Sequence, residues 1–160
     1  MKVDPQKEHA WLHRLVGDWT YAIEACMKPG EPAQKFTGTE TVRSLGGVWI
    51  VAEGQGEMPG GGTGKTMLTL GFDTPSNRFV GTWVGSMMTY LWVYEGTLDA
   101  AEKVLTLACE GPAFDGEGTT ANYKDVHTLI SADERTLTGN VLGKDGKWTE
   151  MMICTYRRAR

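Results

Sequence analysis

A chain of 160 residues with a formal charge of −4 falls in the size range of one domain, and its mild acidity excludes the dense basic surface that binds nucleic acid. The composition, with 21 glycines and 6 tryptophans, favours strands joined by tight turns. No apolar run approaches the roughly 18 residues of a membrane-spanning helix, and residues 1–8 lack the pattern of a secretion leader. We therefore expect one cytoplasmic domain over residues 1–160, with no nucleic-acid or membrane partner.

A short amphipathic helix is predicted near the N-terminus. Asp4 followed by Pro5 forms a helix start, because aspartate caps free backbone amides and proline is favoured in the first turn. Four apolar residues then make one stripe that ends at Gly17, namely Trp11, Leu12, Leu15 and Val16. A narrow stripe needs a covering surface, so we expect this helix to plug or flank one end of the fold.

Short alternating segments separated by turn residues fill the rest of the chain. About ten strands are predicted, at residues 17–27, 36–45, 48–57, 66–72, 78–85, 89–98, 104–110, 120–130, 136–142 and 147–156. This count is typical of an all-β, up-and-down antiparallel barrel with one short N-terminal helix. Barrels of this size commonly enclose a cavity, which favours a small molecule as partner.

The glycine-rich segment before residue 66 matches a phosphate-binding loop only in part. Gly64-Lys65-Thr66 would supply an ammonium and a hydroxyl to a nucleotide. However, Pro59 stands where the first glycine belongs, and a strand follows where the motif needs a helix. We interpret residues 59–64 as a loop at the barrel rim and predict no nucleotide site.

His127 shares a strand face with Asp125, Tyr123 and Leu129. Asp125 and His127 are candidates for acid–base catalysis, in which the carboxylate steers the imidazole, and a histidine can also hold a metal or haem. A solitary histidine on a half-buried strand is more often simply hydrogen-bonded. We therefore predict no metal and no cofactor, haem included.

Six glutamates fall within predicted strands: Glu24, Glu40, Glu53, Glu95, Glu110 and Glu150. An inward carboxylate would need a cationic partner or a shifted pKa. Arg43 is three residues from Glu40 on one strand and therefore points to the opposite face. We expect most of these glutamates to face solvent.

Aromatic and methionine side chains are the candidates for the wall or the mouth of a ligand-binding cavity. The predicted set is Trp83, Met87, Met88, Tyr90, Trp92, Tyr94, Trp148 and Met152, with His127 as a polar anchor. Methionine adapts to irregular apolar ligands, and aromatic rings supply large contact areas. Alternation does not reveal which strand face points inward, so these residues are also compatible with a filled core.

Two groups of motifs resemble known families. Gly17-Asp18-Trp19, at the head of the first strand, resembles the Gly-x-Trp motif of lipocalin-like (calycin) barrels, where a basic residue of the last strand packs across the tryptophan; Arg157 or Arg158 is positioned for that role. A longer set resembles a bacterial family of unknown function, number fifteen-seventy-nine, over nearly the whole chain. This set comprises Gly71-Phe72-Asp73, residues 78–83, 86–89, 92–96 and 110–112, and Tyr156-Arg157-Arg158. The resemblance implies a lipocalin-like barrel with no established reaction.

Two other barrel families share less with the chain. Nitrobindin-like barrels hold haem with a histidine near the C-terminal strand, and residues 151–156 contain none. Fatty-acid-binding barrels use an Arg-x-Tyr pair, whereas Tyr156 here directly precedes Arg157, so the two point to opposite faces.

Three functions are compatible with the sequence. The leading hypothesis is a non-enzymatic barrel that binds a small apolar or amphipathic molecule. The second is an enzyme on the same barrel that uses His127 with Asp125. The third is a structural or interaction module that uses its outer face to form a homodimer.

Overall fold

A computed structural model describes residues 1–26, 28 and 30–160, and in these residues the chain forms a closed antiparallel barrel with one short helix. The elements are α1 (Lys7–His13), β1 (Gly17–Ala25), β2 (Gln34–Leu45), β3 (Trp49–Glu57), β4 (Thr63–Asp73), β5 (Arg78–Gly85), β6 (Trp92–Leu98), β7 (Val104–Pro112), β8 (Thr120–Leu129), β9 (Glu134–Leu142) and β10 (Trp148–Arg158). Each strand pairs with its neighbours in sequence, and β1 pairs with β10 to close the sheet. The predicted all-β, up-and-down, lipocalin-like barrel is confirmed.

Helix α1 covers the end of the barrel where β4 turns into β5 and β6 into β7; this is the closed end. The helix begins at Lys7 rather than near Asp4, because the backbone N–H of Gln6 donates to Nδ1 of His9 at 2.8 Å and closes the first turn. The Trp11 side chain is buried, and its Nε1 donates to the Glu102 carbonyl at 2.7 Å. The apolar stripe thus ties the helix to the β6–β7 turn.

The open end lies opposite, where β3 turns into β4, β5 into β6, and β7 into β8. Some strand limits here differ from the predicted ones. β4 begins at Thr63, so Thr63 and Gly64 lie in the β3–β4 ladder opposite Glu57 and Gly56, and not in the predicted rim loop. β6 begins at Trp92 instead of residue 89. The predicted end of the first strand at Met27 lies outside the described residues.

The Gly-x-Trp motif joins the helix, the first strand and the last strand. Trp19 is buried, and its Nε1 donates to the Leu15 carbonyl at 2.8 Å. The Arg158 guanidinium lies 4.2 Å from the centre of the Trp19 ring and donates to the Val16 carbonyl at 2.7 Å. Of the two arginines considered, Arg158 occupies the position over the tryptophan, while Arg157 faces solvent beside Glu134.

The barrel interior divides into two halves along its axis. Near the closed end, fully buried side chains fill the space, among them Trp19, Ile50, Leu70, Phe79, Leu105 and Leu107. Towards the open end, β2 and β3 contain the glycines Gly38 and Gly56. The Tyr21 side chain occupies the space that a Cβ at either glycine would fill. The closed half is therefore a packed core, and the open half has room for a cavity.

Candidate ligand-binding cavity

The open half of the barrel encloses a cavity of about 270 Å³. Met88, Trp92 and Phe114 line it towards the open end, whereas His127 and Arg135 line it next to the packed core. Typical ligand pockets measure about 300–1,000 Å³. At about 270 Å³ the cavity is slightly smaller than that range, so it suits a small ligand.

Most of the predicted wall residues line this cavity, namely Trp83, Met88, Trp92, Tyr94, His127 and Met152. They do so because each lies on the inward face of its strand or in the loop that leads to β6. Their role in binding remains a prediction. Met87, Tyr90 and Trp148 do not line the cavity.

Trp148 lies on the outer wall because of an irregularity in β10. It has the same parity as Met152, but the pairing with β9 shifts register between Glu150 and Met152. Such a bulge exchanges the inward and outward faces of a strand. As a result Met151 joins Met152 on the cavity, and Trp148 is 41% exposed, with the Lys124 ammonium 4.4 Å from its ring centre.

Met87 and Tyr90 lie in the β5–β6 connection, outside the cavity. The Met87 side chain lies at the rim over Gly85, where a Cβ would collide with its sulfur. The Tyr90 hydroxyl donates to the Glu110 carbonyl at 3.0 Å, and its ring packs edge-on against Trp92 at a ring-centre distance of 5.1 Å. Both are part of the apolar surface around the opening, since each is more than a third exposed.

Glu40 faces inward, which corrects the expectation that it lies on the outer wall. Its Oε1 accepts a hydrogen bond from Nη2 of Arg135 at 2.5 Å, and both side chains are nearly excluded from solvent. The Arg135 guanidinium also lies 3.7 Å from the ring centre of Tyr156 and 4.6 Å from that of Trp19. The other five glutamates are exposed, and Glu53 pairs with Arg43 outside the barrel.

Arg135 is the main site residue that the sequence reasoning missed. A signal was present, because Arg135 has the same parity as Leu137 and Gly139, which also line the cavity. Phe114 was missed too, since it lies in the loop after β7 rather than in a strand. It packs with Trp92 and Tyr123 at ring-centre distances of 6.5 and 6.1 Å and is 69% exposed.

Asp125 pairs with a phenol instead of an imidazole. The Tyr94 hydroxyl donates to Oδ2 of Asp125 at 2.6 Å. Burial raises the pKa of the Asp125 carboxyl, and the hydrogen bond from Tyr94 partly opposes that rise. Burial, followed by the charge of Asp125, raises the pKa of Tyr94 above its ordinary value. The phenol therefore stays protonated and serves as a donor.

His127 is buried and incompletely hydrogen-bonded. It is 5% exposed, and its Nδ1 has no hydrogen-bond partner in the described part of the chain. Burial, together with the nearby positive charge of Arg135, lowers the pKa of His127 to about 3. The imidazole is therefore neutral near pH 7 and is a weak proton acceptor there.

Two thiols complete the cavity wall. Burial raises the pKa of Cys109 and of Cys154 to about 12 in each case. Both therefore remain protonated near pH 7 and act as small apolar groups rather than as nucleophiles.

Across residues 1–26, 28 and 30–160, no group of three or more His, Cys, Asp or Glu residues is arranged to hold a metal ion.

A second depression, of about 800 Å³, lies on the outer wall between Trp49 and Trp148. Val80, Val93 and Lys124 also line it, and it is open to solvent. Tyr94, Cys109 and Tyr123 line both this depression and the cavity. None of the helical residues described forms a segment long and apolar enough to cross a membrane.

Solved structures share the fold at low sequence identity. Rv2717c from M. tuberculosis matches with a TM-score of 0.64 and 14% identity, over 98% of this chain and 100% of that chain. A de novo designed fluorescence-activating β-barrel matches with a TM-score of 0.51 and 11% identity, over 92% and 96% of the two chains. The barrel EF1p2_mFAP2b bound to DFHBI matches with a TM-score of 0.51 and 12% identity, over 95% and 99%. At these identities the likeness supports the fold alone.

Sequence comparison places the chain in a family. No curated protein is significantly similar to it. The family model described as "Protein of unknown function (DUF1579)" matches residues 4–158, which is nearly the whole chain. The motif set spread from residue 71 to the C-terminus and the ten-stranded barrel agree with that match. The chain therefore belongs to the DUF1579 family of proteins of unknown function.

Proposed function

We propose that this protein binds a small amphipathic molecule in the barrel cavity and does not transform it chemically. The observation that carries the proposal is the cavity itself, which has an apolar opening and buried polar groups at its inner end. Ligand sites commonly combine an apolar lining with a few convergent polar groups.

The opening of the cavity is suited to an apolar or aromatic surface. Trp92 packs against Tyr123 at a ring-centre distance of 5.1 Å, and its Nε1 is already engaged with the Met88 sulfur at 3.1 Å. The walls near the opening therefore offer mainly rings and thioethers, with the hydroxyl of Thr66 beside them. Phe114 and Leu91 extend this surface outside, where both are more than half exposed.

The inner end is more polar than predicted, because the prediction named only His127 as its polar anchor. Asp125, His127 and the Glu40–Arg135 pair all line it. A ligand with an apolar body and a polar end matches this distribution better than a hydrocarbon does. The solved barrel bound to DFHBI adds that a barrel with this overall fold accommodates a small molecule.

The enzymatic alternative has less support. Asp125 is hydrogen-bonded to Tyr94, and the imidazole of His127 has a pKa lowered to about 3. Acid–base catalysis near neutral pH favours a group whose pKa lies near that pH. The same side chains are better suited to hydrogen-bonding a ligand than to moving its protons.

The proposal is tested by native mass spectrometry of the protein purified from cells, with two matched variants on β1. Ile23 lines the cavity, and its neighbour Ala22 faces solvent. We expect a bound small-molecule mass in the wild type and in Ala22→Trp, lost on denaturation. Ile23→Trp fills part of the cavity and should lose that mass while keeping the barrel's circular dichroism spectrum. A bound mass that persists in folded Ile23→Trp would contradict the proposal.

Two further expectations accompany this proposal. A cytoplasmic location stays a prediction, and so does a homodimer formed through the outer face. The native spectra also report the dimer, because they give the mass of the intact assembly.

A further inference from the structure

We infer that the ligand is an amphipathic organic cation, whose ammonium group binds at Asp125 while its apolar body lies against the aromatic rings towards the opening. This inference rests on the proposed function and specifies the chemical class of its ligand. It comes from a carboxylate oxygen that is open to the cavity, from the uneven charge around the cavity and from the rings beside that carboxylate.

Asp125 offers a hydrogen-bond acceptor that the protein leaves free. Its Oδ2 accepts from the Tyr94 hydroxyl at 2.6 Å, whereas Oδ1 accepts no hydrogen bond from any residue that the structure describes. In the same residues, the unpaired side-chain atoms that the protein encloses fully are Nδ1 of His127 and Nε of Arg135, and Oδ1 is not among them. Asp125 is only partly buried and lies on the inward face of β8, so its uncovered surface faces the cavity. A ligand can therefore reach this carboxylate.

The charges that line the cavity leave one carboxylate unbalanced. They belong to Glu40, Asp125 and Arg135, because His127 is neutral near pH 7. Arg135 is already bound to Glu40 at 2.5 Å. The residue opposite Asp125 on β9 is Gly139, which is four positions from Arg135, or about 13 Å along an extended strand. The guanidinium therefore neutralises Glu40 and not Asp125.

A bound cation lowers the cost of burying the Asp125 carboxylate. Burial raises the pKa of Asp125, because the ionised form is desolvated there without a cation beside it. An ammonium group supplies that cation and donates a charge-assisted hydrogen bond, which is stronger than a neutral one. Cation binding and ionisation of Asp125 therefore favour each other. A hydrocarbon would cover the carboxylate without pairing it, and a second carboxylate would add a like charge.

Aromatic rings next to Asp125 complete a site for an organic cation. Tyr94 contacts the carboxylate directly. Trp92 and Tyr123 pack together at a ring-centre distance of 5.1 Å, each two residues away on the inward face of β6 or β8. Ring faces attract ammonium groups, which is how aromatic cages recognise organic cations. The barrel interior already stabilises one cation in this way, since the Arg135 guanidinium lies over two rings.

The experiment compares four probes that share one aromatic body and differ at one end: 2-naphthylmethylamine, naphthalene-2-carboxamide, naphthalene-2-carboxylate and 2-ethylnaphthalene. At pH 7 the amine is a cation with nearly the shape of 2-ethylnaphthalene, so this pair isolates the effect of the ammonium group. Isothermal titration calorimetry at pH 7 gives the dissociation constant of each probe. We expect the amine to bind about tenfold more tightly than the other three, or more.

Two aspartate variants locate the preference. Asp125→Asn keeps the size of the side chain and an acceptor for Tyr94 but removes the negative charge. It should lose most of the preference for the amine over 2-ethylnaphthalene while still binding the hydrocarbon. Asp4→Asn makes the same change at an exposed position near the N-terminus and should leave the preference unchanged.

Three outcomes would overturn the inference. If the carboxamide, the carboxylate or the hydrocarbon binds the wild type as tightly as the amine or to within about tenfold, the inference is wrong and the proposed function stands. If folded Asp125→Asn keeps the full preference, Asp125 does not set it and the inference is wrong. If none of the four probes binds, the inference and the proposed function both fail.

Discussion

Replacing His127 with phenylalanine should remove a pH-dependent part of the stability of the barrel. Burial and the charge of Arg135 lower the pKa of this imidazole from 6.5 to about 3 in the folded protein. Between those pH values the unfolded chain binds a proton that the folded chain does not. The contribution of His127 is therefore fully present above pH 6.5 and is lost as the pH falls towards 3.

The size of the effect follows from the same two pKa values. Each pH unit within the window changes the free energy of unfolding by about 1.4 kcal/mol, so the loss from pH 7 to pH 5 is about 2 kcal/mol. Phenylalanine does not titrate. We therefore compare the free energies of unfolding of the wild type and of His127→Phe. The difference, wild type minus variant, should fall by about 2 kcal/mol as the pH is lowered from 7 to 5. Taking the difference also removes most of the opposing contribution of Asp125, whose pKa is raised on folding.

The assay is urea unfolding of both proteins at pH 7, 6 and 5, followed by tryptophan fluorescence. A difference between the two proteins that stays constant over these pH values would refute the reasoning. It would mean that the folded barrel admits a charged imidazole at this position.

Three other predictions concern the ion pair, the closed end and the opening. Glu40→Ala should lower the free energy of unfolding by about 3–5 kcal/mol, because it leaves Arg135 charged and buried without a partner. The control Glu53→Ala breaks an exposed ion pair and should lower it by about 1 kcal/mol or less. Equal losses for the two variants in urea unfolding would contradict this prediction. Arg158→Met removes hydrogen bonds to two carbonyls near the helix. It should lower stability by about 2 kcal/mol and Tm by about 4–8 °C in calorimetry, and an unchanged Tm would count against the role of the arginine. Phe114→Ala should speed dissociation of a cavity ligand several-fold in stopped-flow fluorescence with little change in Tm, and an unchanged rate would show that the ring does not restrict the opening.

The fold was largely predictable from the sequence because its signals are local. The alternation of apolar and polar residues and the residue types of the turns determine where strands begin and end. The number and order of the strands were therefore predicted correctly. The helix start was wrong, since Asp4 and Pro5 form a good local start but Gln6 and His9 close the actual first turn. The other ring nitrogen of His9 lies 3.1 Å from the Phe72 carbonyl of β4, a contact that the local sequence does not reveal.

The site was predictable only in part because it depends on non-local geometry. Alternation grouped Asp125 with His127 correctly, and both line the cavity. Trp148 was misplaced because a bulge in β10 leaves no clear trace in the sequence. Glu40 and Arg135 are 95 positions apart and meet only across the closed barrel, so no spacing rule connects them.

Methionine methyl NMR tests most directly whether a molecule binds inside the barrel. Met88, Met151 and Met152 line the cavity, whereas Met67 lies on the outer wall of β4 and is 37% exposed. With the methyl groups assigned by single Met→Leu variants, naphthalene-2-carboxamide is titrated into the protein. We expect the three cavity methyl resonances to shift with one common dissociation constant while the Met67 resonance stays in place. Shifts at Met67 with unchanged cavity resonances would contradict a ligand site inside the barrel.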